Sequence, residues 1–233
     1  MGLPYLMDHS EIYGGGLMKK QVALTFDDGP NTMTTPKVLD LLEKYNVKAS
    51  FFLIGRNVTE ESKKVAKRAI SMGCDICNHS FTHPYMSQMT EEEVKDEIEK
   101  TDVIIEELTG KRPLFFRPPY IDVKPEMYDW IDKIFISGIG CLDWEERADA
   151  EYRKTEMLKN ARDGVLYLLH DFVDNDATVE ALKTVIPTLL EQDYEFLTVT
   201  EIFKAKQPLF NEKTGYENRP RVLFSDIIND YRG

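Results

Sequence analysis

The sequence predicts an α/β fold in which a parallel sheet is covered by helices. Short apolar runs of strand length alternate with longer amphipathic segments about seven times along the chain, the pattern of repeated strand–helix units. No internal repeat or low-complexity linker interrupts the alternation. With 233 residues, 42% of them hydrophobic, the chain can form one substantial core. An open doubly wound sheet and a closed or distorted barrel both fit this pattern.

The first strand–helix unit begins with QVALTF, residues 21–26, which predicts a strand buried on both faces. Apolar residues then recur at helical spacing over residues 38–45. Thr35 and Pro36 precede them and suit the cap and first turn of a helix. The run ASFFLI, residues 49–54, predicts the second strand.

The second and third units continue the same alternation. An apolar face over residues 65–70 predicts a helix, and CDICNH, residues 74–79, predicts the strand that follows. The next helix begins with Thr90 and Glu93, which have the spacing of a capping box, and ends at Gly110.

The remaining elements follow from shorter signals. Strands are predicted at LFF (114–116), KIFISG (133–138), VLYLL (165–169) and EFLTV (195–199). Helices are predicted around residues 125–132, 151–162 and 178–192. Pro187 should kink or shorten the last of them, because proline cannot donate a helical hydrogen bond.

Charge limits the classes of partner. The chain has 41 acidic and 29 basic residues, a net charge of −12, which repels nucleic-acid phosphates and anionic membrane surfaces. No segment approaches the roughly 20 apolar residues of a membrane span. We therefore expect neither a nucleic-acid nor a membrane partner.

The ends of the chain differ from its middle. Residues 1–20 and 207–233 lack the alternating pattern, and we expect them to be N- and C-terminal extensions of one domain at 21–206. The N-terminus has no basic opening followed by an apolar stretch, which predicts a cytoplasmic protein, or a secreted one if a leader has been removed.

Polar side chains follow five of the predicted strands. They are Asp27 and Asp28, His79 and His83, Arg117, Asp143 with Trp144, and His170 with Asp171. In parallel sheets the carboxyl ends of the strands meet at one edge, where chemistry gathers. We therefore expect these groups at one rim.

A divalent metal site explains two adjacent carboxylates better than a solvated turn does. His79 and His83 are four residues apart in HSFTH, so one loop turn lets both imidazoles face one point. Alone, such a pair is more often capping or core. With a carboxylate from the first strand, however, the pair supplies two nitrogens and one oxygen, a ligand set suited to a catalytic cation. The second carboxylate stays free for proton transfer.

Three other motifs have simpler interpretations. Cys74 and Cys77 have redox spacing but point to opposite faces of a strand, and the chain's third cysteine, Cys141, completes no second pair. The charge run EEEVKDEIEK predicts a solvated helix face. The glycine run at 14–16 lacks the strand–loop–helix context of a phosphate site.

Taken in order, the polar motifs resemble those of a known family. They are TFDDGP (25–30), HSFTH (79–83), RPPY (117–120), DW (143–144) and LLH (168–170). These are similar to the five motifs of the polysaccharide deacetylases, carbohydrate esterase family 4, which share a NodB-homology domain. The resemblance covers residues 20–205 and is closest to bacterial acetylxylan esterases. It implies a distorted parallel (β/α) barrel of about seven strands, with a divalent metal at its rim.

The resemblance implies a role for each motif residue. Asp28, His79 and His83 would be the metal ligands, and Asp27 would be the catalytic base, paired with Arg117. Two imidazoles and one carboxylate suit zinc, cobalt, nickel, manganese or iron(II).

The later motifs would supply the acid and the substrate pocket. His170 would be the general acid, oriented by Asp143. Trp144 and Leu168 would line the pocket for the acetyl methyl group, and the backbone amide of Tyr120 would help to hold the oxyanion.

The implied function is a hydrolase that removes O-acetyl groups from xylan or xylooligosaccharides by attack of a metal-bound water, so an acetylated carbohydrate is the expected partner. N-deacetylation of chitooligosaccharide or peptidoglycan is the alternative within the family, and an inactive carbohydrate-binding domain is the alternative outside it. Two departures, Ile121 for the usual glycine and Gly140 for an aspartate, fall where substrate should lie.

Overall fold

The structure is a computed structural model that describes residues 19–205. The predicted C-terminal extension lies outside the described residues, as does the N-terminal one apart from residues 19 and 20.

The described chain alternates strands and helices. The strands are β1 (Lys20–Asp27), β2 (Ser50–Leu53), β3 (Asp75–Asn78), β4 (Phe115–Phe116), β5 (Ile134–Phe135), β6 (Ile139–Gly140), β7 (Val165–His170) and β8 (Tyr194–Phe196). The helices are α1 (Thr35–Tyr45), α2 (Ser62–Ser71), α3 (Glu91–Thr109), α4 (Met127–Trp130), α5 (Ala150–Lys159) and α6 (Asp176–Glu191), and residues 199–205 are also helical.

The strands form one parallel sheet that curls into a half-barrel. Seven of them follow the order β5-β4-β3-β2-β1-β7-β6, while β8 pairs with β1. On one side of β1, β8 pairs with residues 20–22 and β2 pairs with residues 25–27. This arrangement confirms the expected distorted (β/α) barrel.

The central strand is buried on both faces, as its unbroken apolar run predicts. Leu24 and Phe26 join the cluster formed with α1, α2 and α6, whereas Ala23 joins the cluster on the other face. Val199 and Phe203, from the last described helical segment, belong to that second cluster. β1 therefore lies between two cores, and its carboxyl end is held rigidly.

The helix signals were mostly confirmed. Thr90 and Glu93 form the predicted capping box of α3, and Gly110 ends the helix in the left-handed conformation with φ 77°. None of the described helices is long and apolar enough to cross a bilayer.

Three sequence expectations were wrong. The helix expected around 125–132 is the single turn α4. Of the strand expected at 133–138 only residues 134–135 form a strand, β5, and β6 begins beyond that range at Ile139. α6 is not shortened at Pro187 but continues to Glu191. The proline leaves the carbonyl of Lys183, four residues earlier, without its helical donor, and the hydroxyl of Tyr45 donates to that carbonyl at 3.4 Å.

Candidate functional site

The carboxyl ends of the strands surround a cavity of about 390 Å³. Eight of the ten residues predicted for the site line it: Asp27, Asp28, His79, His83, Tyr120, Trp144, Leu168 and His170. The other two, Arg117 and Asp143, are fully buried and contact lining residues from behind. The structure thus brings together all the residues that the motifs selected.

Three side chains converge at the base of this cavity. The Oδ1 atom of Asp28 lies 3.6 Å from Nε2 of His79 and 3.4 Å from Nε2 of His83. One ligand atom from each residue falls within 4.8 Å of the other two. This spacing lets one ion contact all three atoms.

The backbone that presents these ligands is unusual. Asp28 and His83 have φ angles of 76° and 63°, a left-handed conformation that aspartate tolerates better than most residues. The side chain of Asn57 donates to the carbonyl of Asp28 at 2.7 Å, and Ser80 accepts from the amide of His83 at 3.0 Å. These bonds hold each ligand at a sharp turn just past its strand.

A carboxylate from α3 holds the loop between the two histidines. Glu97 accepts hydrogen bonds from the amides of Phe81 and Thr82 at 2.8 and 2.7 Å, and from the Thr82 hydroxyl at 2.8 Å. Three donors thus converge on one buried carboxylate. The loop that carries His83 is therefore anchored to a helix of the fold.

The protonation states suit a cation. Nδ1 of His79 lies 2.7 Å from the carbonyl oxygen of Arg117, and because a carbonyl can only accept, that nitrogen carries the proton. Nε2 then presents a lone pair to Asp28. Burial lowers the pKa of both His79 and His83, although Asp27 acts against it.

Asp28 gives a direct test of the fit. Burial raises its pKa, and among the residues that the structure describes no group hydrogen-bonds its buried Oδ1. A buried acceptor without a donor is costly unless a cation compensates it. The three residues therefore fit a divalent metal.

The neighbouring carboxylate is held differently. Nη1 of Arg117 donates to Oδ1 of Asp27 at 2.5 Å, and Nη2 donates to the carbonyl of Ser137 at 3.1 Å. Burial alone would raise the pKa of Asp27, but the charges of Arg117, His79 and His170 together outweigh burial and lower it. Asp27 is therefore an ionised carboxylate with its other oxygen directed towards the site, 3.7 Å from Nε2 of His79.

His170 lies at the end of the neighbouring strand β7, and its pKa is shifted upwards, whereas that of Asp27 is lowered. Its Nδ1 donates to Oδ1 of Asp143 at 2.8 Å, and its backbone amide donates to Oδ2 at 2.7 Å. Burial alone would lower the pKa of His170, but the hydrogen bond and charge of Asp143, with Asp27 and Asp28, raise it to about 9. The site thus holds an ionised carboxylate and a protonated imidazole on adjacent strands, a pair able to take and give protons.

Apolar side chains form the remaining wall. The ring of Trp144 meets His170 edge-on at 5.6 Å, and Leu168 lies beside it in the cavity. A Cβ atom at Gly140 would come within 3.1 Å of the Trp144 ring, so the glycine leaves room for the indole. Ile121 faces the same cavity.

A second, more polar cavity of about 760 Å³ adjoins the first. The two share Asp28, His83 and Tyr120. Tyr120 is more than half exposed and stacks on Tyr85, with ring centroids 4.1 Å apart. The combined opening has room for a molecule much larger than an acetyl group.

The structure describes Asp171, which the sequence placed at the rim without a role, and it adds three residues that the motifs did not indicate. The carboxyl of Asp171 is buried against Gly29 and accepts from Thr35 at 2.5 Å, and burial raises its pKa to about 7. Arg153, Asn175 and Thr178 lie behind Asp143. Asn175 and Thr178 had only their position near the start of α6 as a sequence signal, which does not distinguish them from ordinary helix-cap residues, and Arg153, on α5, had none.

The cysteines have no part in the site. Cys74 and Cys77 are buried, unpaired and in separate core clusters, as their strand positions predicted. Burial raises the pKa of the Cys74 thiol to about 11, so its reactive thiolate is scarce at neutral pH. Cys141 is also buried and free.

Two relatives of the chain both have deacetylase in their names. The chain is 46% identical over 188 residues to a bifunctional xylanase/deacetylase of Pseudobutyrivibrio xylanivorans, covering 81% of this chain and 31% of that protein. It is 34% identical over 201 residues to a peptidoglycan-N-acetylglucosamine deacetylase of Bacillus cereus, covering 84% of this chain and 72% of that protein. The chain thus spans about a third of the first relative's length.

Two solved structures of carbohydrate-directed proteins are also similar to the chain. The Xyl-CE4 domain of a multidomain xylanase from the hindgut metagenome of Trinervitermes trinervoides superposes with a TM-score of 0.80 at 42% identity, over 89% of this chain and 96% of that one. A family 4 acetyl xylan esterase from Clostridium thermocellum, in complex with a cobalt ion, gives a TM-score of 0.78 at 39% identity, over 81% and 92% of the two chains.

The family model described as polysaccharide deacetylase matches residues 14–133, the part of the chain that supplies both histidines and both adjacent aspartates. With the fold, the convergence of the motif residues and the relatives, this match shows that the chain belongs to the polysaccharide deacetylase family.

Proposed function

We propose that this protein is a metal-dependent deacetylase that hydrolyses O-acetyl esters on xylan or xylooligosaccharides. One observation carries the proposal: three residues that could hold a metal line the same cavity as the ionised carboxylate of Asp27 and the protonated imidazole of His170. Hydrolysis of an acetyl group needs these three functions within reach of one carbonyl.

Asp28, His79 and His83 would hold the metal. When bound, a divalent cation supplies Lewis acidity, which makes water more acidic and a carbonyl more electrophilic. The relative with bound cobalt supports a transition metal, and the ligand set suits zinc, nickel, manganese and iron(II) equally.

The chain's own groups would move the protons. Asp27, kept ionised by Arg117, takes a proton from the attacking water. As the tetrahedral carbon collapses and its bond to the sugar oxygen breaks, His170 gives the proton on its Nε2 to that oxygen. The hydrogen bond from Nδ1 to Asp143 fixes which nitrogen faces the cavity.

The substrate would be held by the wall and the groove. Trp144 and Leu168 bound the place for the acetyl methyl group, and the backbone amide of Tyr120 would donate to the developing oxyanion. The adjoining polar cavity would take neighbouring sugars. A carbohydrate suits this groove because exposed tyrosine and tryptophan rings offer flat faces to sugar rings.

Xylan is favoured over peptidoglycan by three relatives that are 39% to 46% identical to the chain and whose names refer to xylanase or acetyl xylan esterase. The net charge of −12 also disfavours an anionic wall polymer. The peptidoglycan-directed relative keeps N-deacetylation as a second candidate.

Acetate release tests the proposal. The purified protein is assayed on acetylated xylan, chitooligosaccharide and peptidoglycan, as isolated, after chelation and after each metal is restored. We expect fastest release from acetylated xylan, loss with chelator and recovery with metal. Faster release from the N-acetylated polymers would replace the ester substrate with the amide. No release from any of them would leave a carbohydrate-binding domain.

A further inference from the structure

A buried polar network lies behind the carboxylate that holds His170. Oδ2 of Asp143 accepts a hydrogen bond from the Thr178 hydroxyl at 3.2 Å and has a longer contact, 3.4 Å, with Nδ2 of Asn175. The same amide group of Asn175 donates to the carbonyl of His170 at 2.8 Å. All of these donors are buried in the first turn of α6 or directly before it.

Arg153, on α5, completes the network from the far side. Its Nη1 donates to Oδ1 of Asn175 at 2.5 Å and to Oγ1 of Thr178 at 2.8 Å, while Nε donates to the carbonyl of Ala148 at 2.6 Å. Arg153 is 5% exposed. An arginine this deeply buried is rare unless its charge is compensated, and here these three bonds go to neutral groups.

The donors of Arg153 fix the direction of every other bond in the network. A guanidinium can only donate, so the Thr178 oxygen must accept from it and turn its own proton towards Asp143. In the same way the amide oxygen of Asn175 faces the arginine, which leaves its NH₂ for the carboxylate side. The guanidinium thus polarises the Thr178 hydroxyl and the Asn175 amide, and the donor end of each dipole faces Asp143.

We propose that Arg153 is a positioning residue: through Asn175 and Thr178 it fixes the carboxylate that holds the proton donor. The inference rests on the proposed function of His170 as the acid. A carboxylate with fewer donors rotates more freely, and the imidazole that it orients follows. The proposed acid therefore depends on residues of α5 and α6 as well as on the pair of His170 and Asp143.

Variants of one threonine test this. Thr178→Val removes the hydroxyl and keeps the shape, Thr178→Ser keeps the hydroxyl, and Thr184→Val is the control at an exposed position of α6. Arg153→Lys is a second probe, because an ammonium cannot reproduce the planar fork of a guanidinium.

The first readout is the Nδ1–H proton of His170, followed by NMR in histidine-labelled protein. We expect its downfield resonance to shift or broaden in Thr178→Val and Arg153→Lys, and to be retained in Thr178→Ser and Thr184→Val. An unchanged resonance in both probes, or an equal change in the control, would overturn the inference.

The second readout is turnover of acetylated xylooligosaccharide. We expect kcat to fall about tenfold in Thr178→Val with KM nearly unchanged, the size typical of residues that orient a functional group, and Thr178→Ser to restore it. The NMR measurement needs no turnover. An inactive wild-type protein would therefore refute the proposed function and leave the network testable.

Discussion

At the scale of single residues, Arg117 links the proposed base to a proposed metal ligand. Its guanidinium bonds the carboxylate of Asp27, and its backbone carbonyl accepts from His79. One buried residue thus sets the ionisation of the proposed base and the tautomer of a proposed metal ligand. Two chemically different tasks depend on one position of the chain.

Replacing Asp27 with asparagine should separate proton transfer from metal binding. We expect turnover to fall by about 10²–10⁴, the usual contribution of a general base, while metal content stays the same because all three ligands remain. Acetate release and metal analysis of the same sample measure both quantities.

Asp28→Asn is the matched comparison at the adjacent position. It should lose metal and activity together, because the amide cannot supply an anionic oxygen. If Asp27→Asn also lost its metal, the division of labour between the two aspartates would be wrong.

Replacing Asp143 with asparagine should change the pH profile. A general acid works only while protonated, so activity falls as pH rises through the pKa of His170, which is about 9. Asp143 raises that pKa through its hydrogen bond and charge. Removing the charge should move the alkaline limb of kcat to lower pH by about 1–3 units.

The comparison requires both enzymes to carry the same metal. An alkaline limb at the same pH in both would show that His170 is not the acid. A uniform loss at every pH would show only that the substitution damaged the site.

Motifs predicted the residues that line the cavity and the two directly behind them, Arg117 and Asp143, but not the network behind Asp143. Asp27 and His170 end β1 and β7, and the parallel topology brings strand ends together. Thr178 reaches Asp143 from α6, and Arg153 reaches Thr178 through the packing of α5 on α6. No local pattern encodes such a contact.

At the scale of elements, α3 acts as a support for the metal loop. Its capping box fixes the start of the helix, and Glu97, two turns later, receives three donors from the loop of Phe81 and Thr82. The position of His83 therefore depends on a helix that does not line the cavity.

Glu97→Gln should weaken metal binding. An amide has one acceptor oxygen in place of two, so at least one loop donor loses its partner. We expect metal affinity to fall about 10–100-fold, as for other groups that orient ligands, with the fold retained. Titration with a competing chelator measures the affinity.

Glu107→Gln, at an exposed position of the same helix, is the control for the loss of charge. Equal weakening in both variants would indicate a general electrostatic effect. An unchanged metal affinity in Glu97→Gln would mean that the loop keeps His83 in position without Glu97.

Long elements were predicted better than short ones. α1, α3 and β1 have clear periodicity and caps, and their predicted ranges agree closely with the structure. β4, β5 and β6 are two residues each, too short for any period to be read. Pro187 does not end α6, and the carbonyl that it frees accepts from the hydroxyl of Tyr45.

At the scale of the molecule, net charge should influence which polymers are used. At −12 the protein repels acidic chains, and the repulsion is screened as the Debye length falls from about 30 Å at 10 mM salt to about 8 Å at 150 mM.

We therefore expect KM for a uronate-bearing acetylxylan to fall severalfold over this range of salt. KM for a neutral acetylated xylooligosaccharide should stay constant and serves as the control. A rise in KM for the acidic polymer would indicate a local cationic subsite that outweighs the net charge.

The layering of strands and helices follows from the alternation of elements, but the curl of the sheet does not. Periodicity identified the strand–helix units and left an open sheet and a barrel equally possible. The choice depends on how β2 and β8 share one flank of β1, a long-range pairing that no local pattern encodes. Only the family resemblance predicted the barrel.

The register of β1 with β7 pairs Asp27 directly with His170. The spacing between the two proposed proton-transfer groups is therefore set by a backbone ladder and not by loops. We expect changes in the surrounding loops to alter which polymer is accepted without altering the spacing of these two groups.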